Sequence, residues 1–181
     1  MTARRGFSLI EIIAAAVLVA LLAALTIPTV MSRLAVGKGT ALANEIQSLG
    51  TALRAFNDNT GSYPKFLDEL VSLSTHTDNT CGGNMTAAQQ AKWKGPYVNR
   101  LIAGDYVTAD DNTIVYTLTR VAGPPAYLQL TINNVSSDVA AVVEEAIDGP
   151  VVATSYTTGS FLWVSGTKVA TYRLVVPTTC T

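Results

Sequence analysis

The chain has 181 residues, 49% of them apolar and 14% charged, with a formal net charge of −1. That size suits one domain with its own core, and so much apolar content excludes disorder of the chain as a whole. Near-neutral charge without a basic run excludes an electrostatic nucleic-acid interface, because phosphates demand clustered Lys and Arg.

In chain order, the apolar surplus comes first: residues 1–57 hold 34 apolar residues. The stretch Phe7–Ile27 is interrupted only by Ser8, Glu11 and Thr26. As a helix it is about 31 Å long, the thickness of a bilayer's hydrocarbon core. Arg4 and Arg5 precede it, as basic residues precede the core of a secretory signal peptide. Two features depart from a signal peptide. Helix-forming sequence continues past the run, and Glu11 lies within it, where a carboxylate costs about 2.5–3.5 kcal/mol at mid-span. A carboxylate kept there points to a partner. Pro28 is expected to bend or loosen the helix, and Gly37 and Gly39 to weaken it. From Leu42 the pattern becomes one-sided: Leu42, Ile46, Leu49, Leu53 and Phe56 fall at 4-3-4-3 spacing. One helix over residues 7–57 is predicted, with 7–30 as its membrane-compatible part and the remainder as the spine of a head, 58–181.

Turn formers from Asn57 to Pro64 end the helix. Lys65–Leu73 reads as a short helix and Ser74–Thr86 as a polar loop carrying Cys81. Ile114, Tyr116 and Leu118, then Leu128, Leu130 and Ile132, alternate with polar residues across Gly123-Pro124-Pro125, predicting a hairpin with one buried face. Val139, Val142, Val143, Ala146 and Ile147 predict a short helix started by Ser136 to Asp138 and stopped by Gly149-Pro150. Two more strands, Ser160–Val164 and Lys168–Val176, follow. The expected class is α+β: a long helix on an antiparallel sheet with a small inserted helix.

Signs of catalysis are sparse. His76 is the sole histidine, in a polar loop, with no nucleophile motif near it. His76, Asp78 and Cys81 lack an evident fourth metal ligand. Glu144-Glu145 and Asp110-Asp111 read as solvated charge, with Glu144 on the polar side of its helix. Asn84-Met85-Thr86 and Asn134-Val135-Ser136 match the glycosylation triplet weakly. No enzyme activity, cofactor or metal is expected.

The run Arg4-Arg5-Gly6-Phe7-Ser8-Leu9-Ile10-Glu11, followed by a long apolar helix and Pro28, resembles the N-terminus of type IV prepilins and type II secretion pseudopilins. Gly61-Ser62-Tyr63-Pro64 and Trp93-Lys94-Gly95-Pro96-Tyr97 are similar to elements of the major pseudopilins. The resemblance implies a pilin-like fold and a leader, 1–6, cut between Gly6 and Phe7 by a prepilin peptidase that also methylates the Phe7 amine. It implies that Glu11 pairs with that amine on a neighbour and that Pro28 is the helix-kinking proline. The precursor would sit in the inner membrane as a single N-in span, delivered to a pilus or secretion assembly platform. Its product would be a homo-oligomeric helical filament, extracellular or periplasmic. A secretion pseudopilin driving protein export and a minor tip subunit for adhesion or DNA uptake are the alternatives.

One departure separates the chain from the major pseudopilins, which hold calcium through carboxylates in a C-terminal loop: no Asp or Glu follows Asp148. Cys81 and Cys180 are the two cysteines, an even count suited to an oxidising compartment. A bridge between them would close a loop of about 100 residues, worth up to about 4.7 kcal/mol, and two buried thiols are the alternative. A cysteine near the C-terminus is typical of type IV pilins, although theirs closes a shorter loop.

Overall fold

The computed structural model describes residues 8–73, 77–99, 107–108, 114–149 and 159–177. Helix α1 runs without a break over Leu9–Thr60, through positions 28, 37 and 39. It ends three residues beyond the expected Asn57. Asn57, Asp58 and Asn59 are polar enough to act as turn formers, yet the chain stays helical until Gly61 adopts φ 79°. There the Gly61 amide donates to the Asn57 carbonyl at 2.7 Å, a left-handed cap that glycine adopts without steric cost. Thr60 Oγ1 adds a bond to the Phe56 carbonyl at 2.8 Å.

The predicted helix over Lys65–Leu73 shrinks to a single 3₁₀ turn, Leu67–Leu70. A short helix α2, Ala87–Gln90, was not anticipated. Thr86 and Gln89 close it reciprocally: the Gln89 amide donates to Thr86 Oγ1, and the Thr86 amide donates to Gln89 Oε1 at 2.8 Å.

Among the described residues five strands form one antiparallel sheet in the order β1-β2-β3-β5-β4. They are β1 Val107–Thr108, β2 Val115–Val121, β3 Ala126–Ile132, β4 Phe161–Val164 and β5 Val169–Val176. The hairpin and the final two strands agree with the alternation in the sequence, whereas the two-residue β1 is too short to show a period. Register aligns inward residues into rows across the strands. Tyr116, Ile132, Ala170 and Trp163 form one row, and Leu118, Leu130, Tyr172 and Phe161 the next. The opposite face carries Thr117, Thr131 and Thr171 in one row and Thr119, Gln129 and Arg173 in another, as β-branched and polar residues suit a solvated face.

The inward rows share one core with Leu42, Ala43, Ile46, Leu49, Leu53 and Phe56 of α1. The spacing read from the sequence is therefore the stripe that covers the sheet. Helix α3, Ser137–Ile147, packs against α1 and touches β4. Gly39 makes that crossing close, because a Cβ there would lie 2.5 Å from Cβ of Val142. The coarse expectation holds: the fold is α+β, a long N-terminal apolar helix on an antiparallel sheet.

Candidate functional site

Helix α1 has two environments. From Leu9 to Lys38 every described side chain is exposed except half-buried Ala35, and burial begins at Gly39. Leu9, Ile10, Leu18, Val19, Leu22 and Met31 are each more than 60% exposed. This bare half, the stem, is the most conspicuous feature of the surface, since monomers seldom expose a large contiguous apolar patch without a partner or a membrane to cover it. Among the described residues α1 is the one helix long and apolar enough to cross a membrane.

Glu11 sits in the first turn of the stem, exposed, where a carboxylate also favours the helix dipole. Pro28 lies inside the helix. Gly6, Phe7 and Cys180 lie outside the described residues, as do His76, Asp110 and Asp111. Cys81 is exposed and forms a disulfide. The chain's other cysteine is Cys180. The structure therefore brings none of the sequence-predicted residues together within the described part. Glu11 and Pro28 share α1 but lie 17 positions apart, and Cys81 lies in the loop before α2.

The head end of α1 is held by groups that periodicity does not mark. Tyr116, fully buried on β2, donates its hydroxyl to Glu45 Oε2 of α1 at 2.7 Å. At the far end, the Tyr97 amide donates to the Leu70 carbonyl at 2.8 Å, and Asn59 Nδ2 donates to the Tyr97 hydroxyl at 3.0 Å. The Tyr97 ring packs 5.7 Å from Phe56 and meets Trp93 edge-on at 5.9 Å. Thus the Trp93–Tyr97 element noticed in the sequence straps the loop onto the end of the spine.

Two carboxyl groups are buried in the head. Glu69 is 0% exposed; its Oε2 accepts from the Lys65 amide at 3.0 Å, while Oε1 has no hydrogen-bond partner among the described residues. Burial pushes its pKa up to about 8, against the lowering effect of the Lys65 and Phe66 amides. Glu144 is 2% exposed, which overturns the expectation of a solvated charge. The cause is the roll of α3: Val139, Ala140, Val143 and Glu144 face inward, while Ala146 is exposed and Val142 is half-buried. Burial, with the nearby Asp148 charge, raises Glu144 to about 7. Asp148 itself joins α3 to the sheet, accepting from the Ser160 amide at 3.0 Å and the Phe161 amide at 2.7 Å.

Among the described residues no group of three or more His, Cys, Asp or Glu side chains is placed to hold a metal ion. Comparisons of the chain with family models, curated proteins and solved structures returned no match.

Proposed function

We propose that the chain is a structural subunit of a helical filament of the type IV pilin and pseudopilin kind, processed between Gly6 and Phe7. The observation that carries this reading is the stem: the more apolar half of α1 stands exposed among the described residues instead of packing on its own head. A single chain has two ways to keep such a surface from water. It lies in a bilayer before assembly and against copies of itself afterwards. Arg4 and Arg5 hold the N-terminus on the cytoplasmic side of the inner membrane, so the body projects outward. The α+β head, with a long helix as spine and an antiparallel sheet laid on it, is compatible with a pilin-like fold.

Glu11 has a specific role in this reading. Removal of the leader exposes the Phe7 amine close to Glu11, and in a bundle of stems an unpaired carboxylate is costly while a paired one costs much less. The pairing sets register more than it adds stability. Glu11→Ala is therefore expected to leave cleavage and methylation intact while lowering the yield of sheared filaments at least tenfold. Wild-type filament yield from that variant would contradict the assignment.

A further inference from the structure

We propose that Arg33 is a second assembly residue, which meets Glu11 of another copy displaced outward by about 33 Å along the filament axis. The proposal rests on the filament reading above and adds a register to it. Between Leu9 and Lys38 the sequence carries three charges only: Glu11, Arg33 and Lys38. Two hydroxyl groups, one within this stretch and one just past it, turn back on their own helix. Ser32 Oγ donates to the Thr29 carbonyl at 3.0 Å and Thr40 Oγ1 to the Val36 carbonyl at 2.9 Å. Glu11 and Arg33 are different: both are exposed, and neither side chain has a hydrogen bond or ion pair among the described residues.

Their spacing selects the pair. Glu11 and Arg33 are 22 positions apart on one unbroken helix. At about 100° and 1.5 Å per residue they lie within roughly 40° of the same face and about 33 Å apart. Lys38 stands about 180° from Glu11 by the same count, on the opposite side of the stem. Stems inserted from one membrane side run parallel, so two charges on the same face meet when that face is turned toward the filament axis. About half a turn around the axis, combined with the outward displacement, brings Glu11 of one copy against Arg33 of another. Every Arg33 then receives a Glu11 from the copy displaced outward, and every Glu11 reaches an Arg33 on the copy displaced inward. That contact is heterologous and does not close, as a growing filament requires.

Water-poor surroundings sharpen the choice. A charge buried among apolar stems is tolerated when paired and strongly disfavoured when alone, and opposite charges attract more strongly there than in water. A carboxylate has two acceptor oxygens, so Glu11 can take the Phe7 amine of one neighbour and the Arg33 guanidinium of another.

The test is a cross-link at the same 22-residue offset, one turn further on. Ala15→Cys and Gly37→Cys are introduced together in the full chain, expressed with its assembly machinery; a side chain at Gly37 meets nothing within 4 Å. Filaments oxidised with a membrane-permeant copper catalyst should give a ladder of dimers and higher species, with monomers from either single variant. Arg33→Glu should lower filament yield at least tenfold, and Arg33→Lys should restore most of it. Filaments that form normally but give no ladder, or a wild-type yield from Arg33→Glu, would overturn the register and leave the filament reading standing. A wild-type chain that never polymerises would overturn both.

Discussion

The two halves of α1 are one continuous helix with opposite surroundings. The stem is the more apolar half and is bare; the spine carries Asn44, Gln47, Arg54 and other polar residues, yet holds the core. Apolar content alone therefore does not locate the interior of this protein. What does is the one-sided spacing that starts at Leu42, together with a glycine, Gly39, at the point where α3 lies down on α1. A helix apolar on all sides has no face to give to a head, so it is left for a membrane or for other copies.

The comparison is broken most forcefully by truncating one apolar side chain in each half. Phe56→Ala should cost the detergent-solubilised chain about 3–5 kcal/mol of stability, as a fully buried aromatic does. Leu18→Ala, on the stem, should change head stability by less than about 0.5 kcal/mol. Denaturant titration read on head fluorescence distinguishes them, and equal losses would mean that the stem folds back onto the head.

Two glycines two residues apart sharpen the boundary. At Gly39 a methyl group would crowd Val142, so Gly39→Ala should lose about 1–3 kcal/mol by overpacking, partly offset by better helix propensity. Gly37 has open space around it, so Gly37→Ala should gain about 0.5–1 kcal/mol. Thermal melts of the two variants should therefore move in opposite directions.

A smaller effect concerns pH, to which the head responds through Glu69 and Glu144. Both folded pKa values are raised from 4.5, to about 8 and about 7. Between those limits the folded state binds more protons than the unfolded one, so stability is full below about pH 4.5 and falls as pH rises through 7 to 8. Glu144→Gln should remove its own share of that slope, between about pH 4.5 and 7, and leave the share of Glu69, which runs on to about pH 8. At pH 8 it should be more stable than wild type by on the order of 1 kcal/mol, and nearly equal to it at pH 4.5. A slope of the same size in the variant would show that Glu144 does not titrate in this window.

Much of the fold was legible because its elements repeat. The 4-3-4-3 spacing of the spine and the alternation of Tyr116, Leu118, Leu128, Leu130 and Ile132 each report which face is buried. Glu144 was misread for a related reason. Five apolar positions on α3 defined an apparent inner face, but the helix contacts both α1 and β4 and is rolled to suit both, a tertiary choice that one helix's pattern does not contain. Glu69 carried no signal at all: it is buried by a single 3₁₀ turn too short to show a period. The Lys65 amide beside it reaches just one of its two carboxylate oxygens. The helix end shifted from Asn57 to Thr60 because the left-handed glycine, not the polar run before it, makes the stop. On the stem, charge placement was visible in the sequence, whereas exposure of the whole half needed the folded head beside it.

The central claim, that the bare half of α1 belongs to a processed filament subunit, is tested most directly at its N-terminus. Mass spectrometry of the mature chain should find a polypeptide beginning at Phe7 with a single methyl group on its amine. An unmethylated chain that begins anywhere else would contradict it.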